Sequence, residues 1–273
     1  MNSMKHLFLS FYFLLPLISV QANNFPFQAN EELSLDVYYK YGLVMLKAGS
    51  ANFKVTENSY KDKNSYLMDL DFKTTSFFDK IFKMRDTLRS TITENLQPLH
   101  HIKYLHEGNY QFTEEMFFNK FSATYSEVRV KRESQQLVAF DTILTANTIS
   151  YDILNLMPYI SSLDFSTPGA AQETAASIFI GKGKIRVTIR NEGQEIVERG
   201  DTLKYKTYKI ALDFSDSNFN ESKNAIEIWM SDDKNRIPVK IRAKLRIGAV
   251  EVYLASYKNL KYPLSSAINI PAK

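Results

Sequence analysis

Three histidines, His100, His101 and His106, fall within seven residues, and imidazole is a common ligand for zinc or copper. On an extended strand, however, His100 and His106 share a face while His101 points the other way. Six residues at ~3.3 Å each put that pair about 20 Å apart, too far for one ion. Exposed strand histidines without a metal are therefore expected. Asp216, Asn218 and Asn220 stand at the first, third and fifth places of a calcium-loop pattern, with Glu227 at the twelfth. Glu221 replaces the glycine such a loop needs for its sharp turn, and Glu227 falls in an apparent strand, so the expectation is an ordinary hairpin loop.

Asp232 and Asp233 are neighbouring carboxylates that could serve as acid and base. Adjacent loop residues rarely aim at one bond, and no nucleophile accompanies them; capping of their own turn is the expected role. Gly181-Lys182-Gly183-Lys184 lacks the spacer and the Ser or Thr of a phosphate loop, and Ile185 to Ile189 continues as strand, so it reads as a hairpin turn. There is no HExxH, no nucleophile elbow and no cysteine. These absences predict a protein that is not an enzyme and carries no cofactor.

The elements that hold these residues are mostly strands. Leu33, Leu35, Val37, Tyr39 and Tyr41 alternate with Ser34, Asp36, Tyr38 and Lys40, which sends one set to a core and the other towards solvent. Ala51, Phe53 and Val55 repeat the pattern, as do Tyr66, Met68, Leu70 and Phe72. So do Asp86, Leu88, Ser90 and Ile92, and the runs ending in Leu245-Ile247 and Val250-Val252-Leu254 around Gly248. Some dozen strands are too many for a flat open sheet. The predicted fold class is all-β and mainly antiparallel: a strongly curved sheet or broken β-barrel with one or two short covering helices.

Two segments have helical spacing. In 76–84, Phe77, Phe78, Ile81 and Phe82 gather on one side of two turns; in 150–160, Ile153, Leu156 and Met157 form another stripe. Both are expected to cover the interior of the curved sheet, and these seven residues are the candidate ligand-contacting cover of a cavity.

At the N-terminus, Lys5 and His6 precede an apolar run from Leu7 to Val20, broken by Pro16 and ending in Val20-Gln21-Ala22. The run is shorter than the ~20 residues of a membrane span and reads as a cleavable signal peptide over 1–22, followed by one β-rich domain over 23–273. Removing Lys5 from the 34 basic residues leaves 33 against 30 acidic ones, spread along the chain, which is no nucleic-acid footprint. Without cysteine in an oxidising compartment, stability has to come from core size.

Leu33, Leu35, Val37 and Tyr39 after Glu32, leading through Gly42 to Lys47-Ala48-Gly49, resemble the opening of the bacterial domain-of-unknown-function 3108 family. Ser150-Tyr151-Asp152 to Pro158 is similar to a second family segment, and Ile228-Trp229-Met230-Ser231-Asp232-Asp233 with Arg236-Ile237-Pro238-Val239 to a third. The resemblance implies an exported, periplasmic or secreted envelope protein with no established activity. By analogy of fold it also implies a likeness to periplasmic carriers whose incomplete barrel encloses an apolar cavity. Two functions remain open: binding of a lipid or other apolar molecule, or a structural or assembly role through contacts with an envelope protein. No integral membrane span is expected after signal cleavage.

Overall fold

Alternation along each strand becomes inside and outside of a barrel. In the computed structural model, which describes residues 25–134, 140–165, 173–200, 203–216 and 219–269, Leu33, Leu35 and Val37 are buried while Ser34, Asp36 and Tyr38 between them are half-buried on the other face. The segment 1–22, read as a signal peptide, lies outside the described residues.

The first half is an antiparallel meander, β1 (Glu32–Tyr41), β2 (Val44–Tyr60), β3 (Lys63–Thr74), β4 (Arg85–Ile92), β5 (Pro98–Glu107), β6 (Tyr110–Phe121), β7 (Ser126–Ser134) and β8 (Phe140–Ala146). Two-residue β9 (Ser150–Tyr151) follows and runs parallel to β10 (Glu173–Ile180). A second meander continues through β11 (Gly183–Arg199), β12 (Leu203–Asp216), β13 (Phe219–Ser231), β14 (Pro238–Lys244) and β15 (Ala249–Lys258), and short β16 (Ala267–Asn269) adds to β12. Pairing of β15 with β1, from Glu32↔Lys258 to Lys40↔Ala249, joins the two meanders into one sheet.

A sheet this wide has to curl, and register shifts in β1, β4, β6, β11 and β12 supply bends. The two ends of the path nearly meet: Lys184 Nζ on β11 donates to Thr145 O on β8 at 2.7 Å. The result is a nearly closed, barrel-like sheet, the all-β curved architecture expected from the alternation. Gly49 on β2 shows how tightly the ladder is drawn, since a Cβ there would stand 2.5 Å from Lys73 O and 2.7 Å from the Phe72 ring. That close approach gives the Lys47-Ala48-Gly49 motif a packing reason.

The β1–β2, β5–β6, β10–β11 and β14–β15 hairpins turn at one end of the barrel. At the other end lie Phe25 and Phe27, both fully buried, and helix α2 (Leu156–Ser162), whose Ser161 Oγ donates to Arg236 O at 3.0 Å. The two main apolar clusters, one around β1–β3 and one around β10–β13, both pack against Met157 of α2.

Both helical expectations shrink. Residues 76–84 form only four-residue α1 (Ser76–Asp79), capped by Thr75, before Met84 bridges to Glu107. In 150–160 the first two residues are strand, and the helix starts only after a turn in which Asp152 Oδ1 accepts the amides of Leu154 (3.0 Å) and Asn155 (2.9 Å). Side-chain capping of that turn outcompetes a continuous helix.

Glu31, just before β1, is buried with one carboxyl oxygen facing Gln28 N at 3.3 Å. Burial pushes its carboxyl from about 4.5 up to about 7, with the Gln28 and Lys261 groups pulling it back. A raised carboxyl holds in the folded state a proton that the unfolded chain releases. Its contribution is therefore full below the unfolded value and is lost as pH rises through about 7. Glu31→Gln, neutral throughout, is expected to raise stability at pH 8 by about 1–3 kcal/mol and to flatten its pH dependence across that window. Urea midpoints at acid and alkaline pH check this; a variant no more stable than the parent at pH 8 would contradict it.

Candidate ligand-binding cavity

Inside the barrel the core leaves a void of about 200 Å³. Its floor is α2 with the turn before it, which contribute Ile153, Leu154, Leu156, Met157 and Ile160. One wall is built by Leu33 and Leu35 of β1 with Phe53 and Leu70, the opposite wall by Leu212, Ile226, Ile228 and Ile241, with Phe27 completing the base. Every lining residue is apolar, so no hydrogen bond from the wall can orient an occupant, and selection rests on shape and hydrophobicity.

The void is not sealed. Leu70, Ile153, Met157, Ile226 and Ile241 are only half-buried, and half-buried Phe72, Val250 and Val252 extend the apolar wall towards the hairpin end. With α2 and Phe27 across the other end, the open side faces the hairpins. An apolar cavity of ~150 Å³ is enough to take benzene, while drug-sized ligands need ~300 Å³ or more. The space therefore fits a ring or the end of an acyl chain, with the remainder emerging through the mouth.

Of the seven residues expected to cover the interior, Ile153, Leu156 and Met157 do line it. Phe77, Phe78, Ile81 and Phe82 do not: α1 is too short to reach over the opening, and Phe77, Ile81 and Phe82 point to solvent at the hairpin end. The physical reason is local. Thr75 N donates to Ala48 O at 2.9 Å and Arg85 clasps Asp79 at 2.7 Å, which ties the segment to β2 and β4.

A buried polar cluster beside the floor was not anticipated. Ser90 Oγ lies 2.8 Å from His101 Nδ1 and donates to Asp152 Oδ1 at 2.8 Å, while Asp152 Oδ2 accepts the Asn155 amide. All four residues are buried. The composition is that of a catalytic triad, but the geometry is different: serine and aspartate meet the same imidazole nitrogen, with Asp152 Oδ1 at 3.3 Å from Nδ1. The hydroxyl proton is directed to Asp152, an Nδ1–H tautomer would complete the contact to Ser90 Oγ, and the imidazole is not placed between serine and aspartate as in a triad. Burial pushes the His101 imidazole down, against the pull of Asp152 and Glu114. The cluster ties β4 and β5 to the start of α2.

His101 thus corrects the expectation of exposed strand histidines, since it is 1% exposed. His100 faces outward, bonded to Glu115 Oε1 at 2.8 Å, and His106 is exposed, so the three do not converge. Among the described residues, no group of three or more His, Cys, Asp or Glu side chains is arranged to hold an ion. Residues 217–218 and the side chains of Asp216 and 219–222 lie outside what is described, while Glu227 is paired with Lys209 at 3.0 Å. Asp233 accepts Ser231 Oγ, Asn235 N and Ser266 N, each at 3.0 Å, and Asp232 accepts Gln194 Nε2 at 2.8 Å. The two carboxylates shape the β13–β14 turn and pin the C-terminal segment to it.

Fold and cavity together define a barrel-like all-β protein with an apolar interior reached from one end. The chain belongs to the protein family of unknown function DUF3108, whose model matches residues 34–255. A crystal structure of a beta-barrel-like protein of the domain of unknown function DUF1849 from Brucella abortus is similar, with a TM-score of 0.58 at 9% identity over 84% of this chain and 97% of that one. At that identity the likeness is one of fold alone. No curated protein matches the sequence. Among the described residues, no helix is long and apolar enough to cross a membrane.

Proposed function

We propose that this is an exported, non-catalytic protein of the bacterial cell envelope whose barrel holds one apolar chain, such as the acyl end of a lipid. The observation that carries the reading is the half-open cavity with an entirely apolar wall and a helix across its base. Export is supported by the N-terminal run from Leu7 to Val20 with Lys5 before it. A binding role is favoured over catalysis because, among the described residues, the serine, histidine and aspartate that meet are buried away from solvent and lack the relay geometry of a triad.

A ligand that binds only the folded state stabilises it, by about 2.7 kcal/mol at a hundredfold excess over Kd. For a protein of this size that is a rise of roughly 5–10 °C in melting temperature. Saturated fatty acids of graded chain length are expected to give such a shift once the chain is long enough to fill the void. No shift at any chain length would overturn the reading.

A further inference from the structure

One side of the barrel end that carries the cavity mouth, over β14–β15, β1–β2 and α1, is apolar where a solvated rim would be polar. Leu43, at the tip of the β1–β2 hairpin, is 104% exposed, and Leu46 is exposed beside it. Phe77 and Ile81 stand out from the α1 region, and Leu245 and Ile247 from the β14–β15 turn. Single exposed apolar residues are ordinary; three adjacent tips are not.

The tips are locked side by side. Gly248 has φ +74° and approaches β1 so closely that a Cβ would stand 2.4 Å from Lys40 O, and Tyr39 Oη donates to Ile247 O at 3.3 Å. On the other flank, Thr75 N binds Ala48 O, which sets α1 against the base of the β1–β2 hairpin. Charge accompanies the patch. Segments 41–47, 76–84 and 244–248 carry Lys47, Lys80, Lys83, Lys244 and Arg246 against one acidic residue, Asp79, which Arg85 holds; Lys47 is itself paired with Asp36 at 2.6 Å, so the charge of the patch rests on Lys80, Lys83, Lys244 and Arg246.

We propose that this rim docks on a bilayer containing anionic lipids, with the apolar tips entering the acyl boundary and the basic side chains meeting phosphate headgroups. Protein interfaces are depleted in lysine, whereas four of these five basic residues are lysines interleaved with aliphatic tips, the pattern that favours an anionic lipid surface. Docking in this orientation would set the cavity mouth against the membrane, yet it does not depend on the cavity holding anything.

The test is co-sedimentation of protein purified from native cells with phosphatidylcholine vesicles, with and without phosphatidylglycerol. Binding is expected to the anionic vesicles and to weaken with salt. Lys80→Gln with Lys83→Gln should reduce it about 30-fold at low salt. Leu43→Ser, Phe77→Ser and Ile247→Ser together should reduce it about tenfold or more, with the melting temperature unchanged because all three residues are exposed. Leu43→Ser alone gives a smaller loss in the same direction. Ile226→Trp, which fills the cavity, should bind vesicles as the parent does, and this separates docking from ligand loading. Absence of vesicle binding, full binding by the triple serine variant, or a change in its oligomeric mass in place of lost vesicle binding would overturn the proposal.

Discussion

Asp152→Ala is expected to cost about 3–5 kcal/mol of folding stability, because it removes the acceptor at the centre of a buried network. The carboxylate is fully buried and accepts Ser90 Oγ, the amides of Leu154 and Asn155, and the Asn155 side chain. Alanine leaves these donors inside the protein without a partner, and each unsatisfied group costs about 1–3 kcal/mol before the structure relaxes. Relaxation and non-additivity bring the sum down to the stated range. The damage should spread to α2, whose first turn hangs from Asp152, and so to the cavity floor. Asp152→Asn keeps the size and one acceptor oxygen and should lose about 1–3 kcal/mol. Urea denaturation gives the ranking, with the asparagine variant readable even if the alanine variant fails to fold. An alanine variant within 1 kcal/mol of the parent would show that the network does not hold the helix.

The second large effect concerns Ile226→Trp. Ile226 sits on β13 between Leu212 and the small Ala243, lines the cavity and is only half-buried. A larger apolar side chain there has space to enter. Filling an existing void commonly raises stability by about 0.5–2 kcal/mol, whereas forcing the same atoms into a filled core costs about 1–3 kcal/mol. The sign of the change therefore distinguishes an open interior from a packed one. A rise of about that size is expected, together with loss of the fatty-acid-induced shift in melting temperature. A fall, with the shift intact, would show a packed interior and put fatty-acid binding elsewhere on the chain; a fall with no shift in the parent either would favour a structural or assembly role.

Much of the barrel was legible because inward and outward residues alternate with period two, as in Leu33-Leu35-Val37 and Tyr66-Met68-Leu70. The joining of the two meanders was not: pairing of β1 with β15 links segments more than 200 residues apart, and no local pattern encodes it. The apolar stripe of Ile153, Leu156 and Met157 was legible, and all three line the void. Phe77, Phe78, Ile81 and Phe82 do not line it, because helical spacing marks an apolar face without saying whether it turns to the core or to solvent.

The polar cluster escaped for a related reason. Ser90, His101 and Asp152 come from three segments, and each looks ordinary alone; the one signal was that Ser90 shares the inward row of Leu88 and Ile92. The third family motif gains a physical meaning that spacing did not reveal. Its Asp233 and Asn235 hold the 262–266 segment in place, Asn235 Nδ2 donating to Tyr262 O at 3.0 Å.

The central claim, that the barrel interior is a binding site for an apolar chain, is tested most directly by what leaves native cells with the protein. Parent and Ile226→Trp proteins are purified side by side without detergent, extracted with organic solvent, and the extracts quantified by mass spectrometry against protein. The parent should release an apolar molecule at close to one per chain, and Ile226→Trp about tenfold less or lower still. Empty extracts from well-folded parent protein, or equal yields from the two, would contradict the claim.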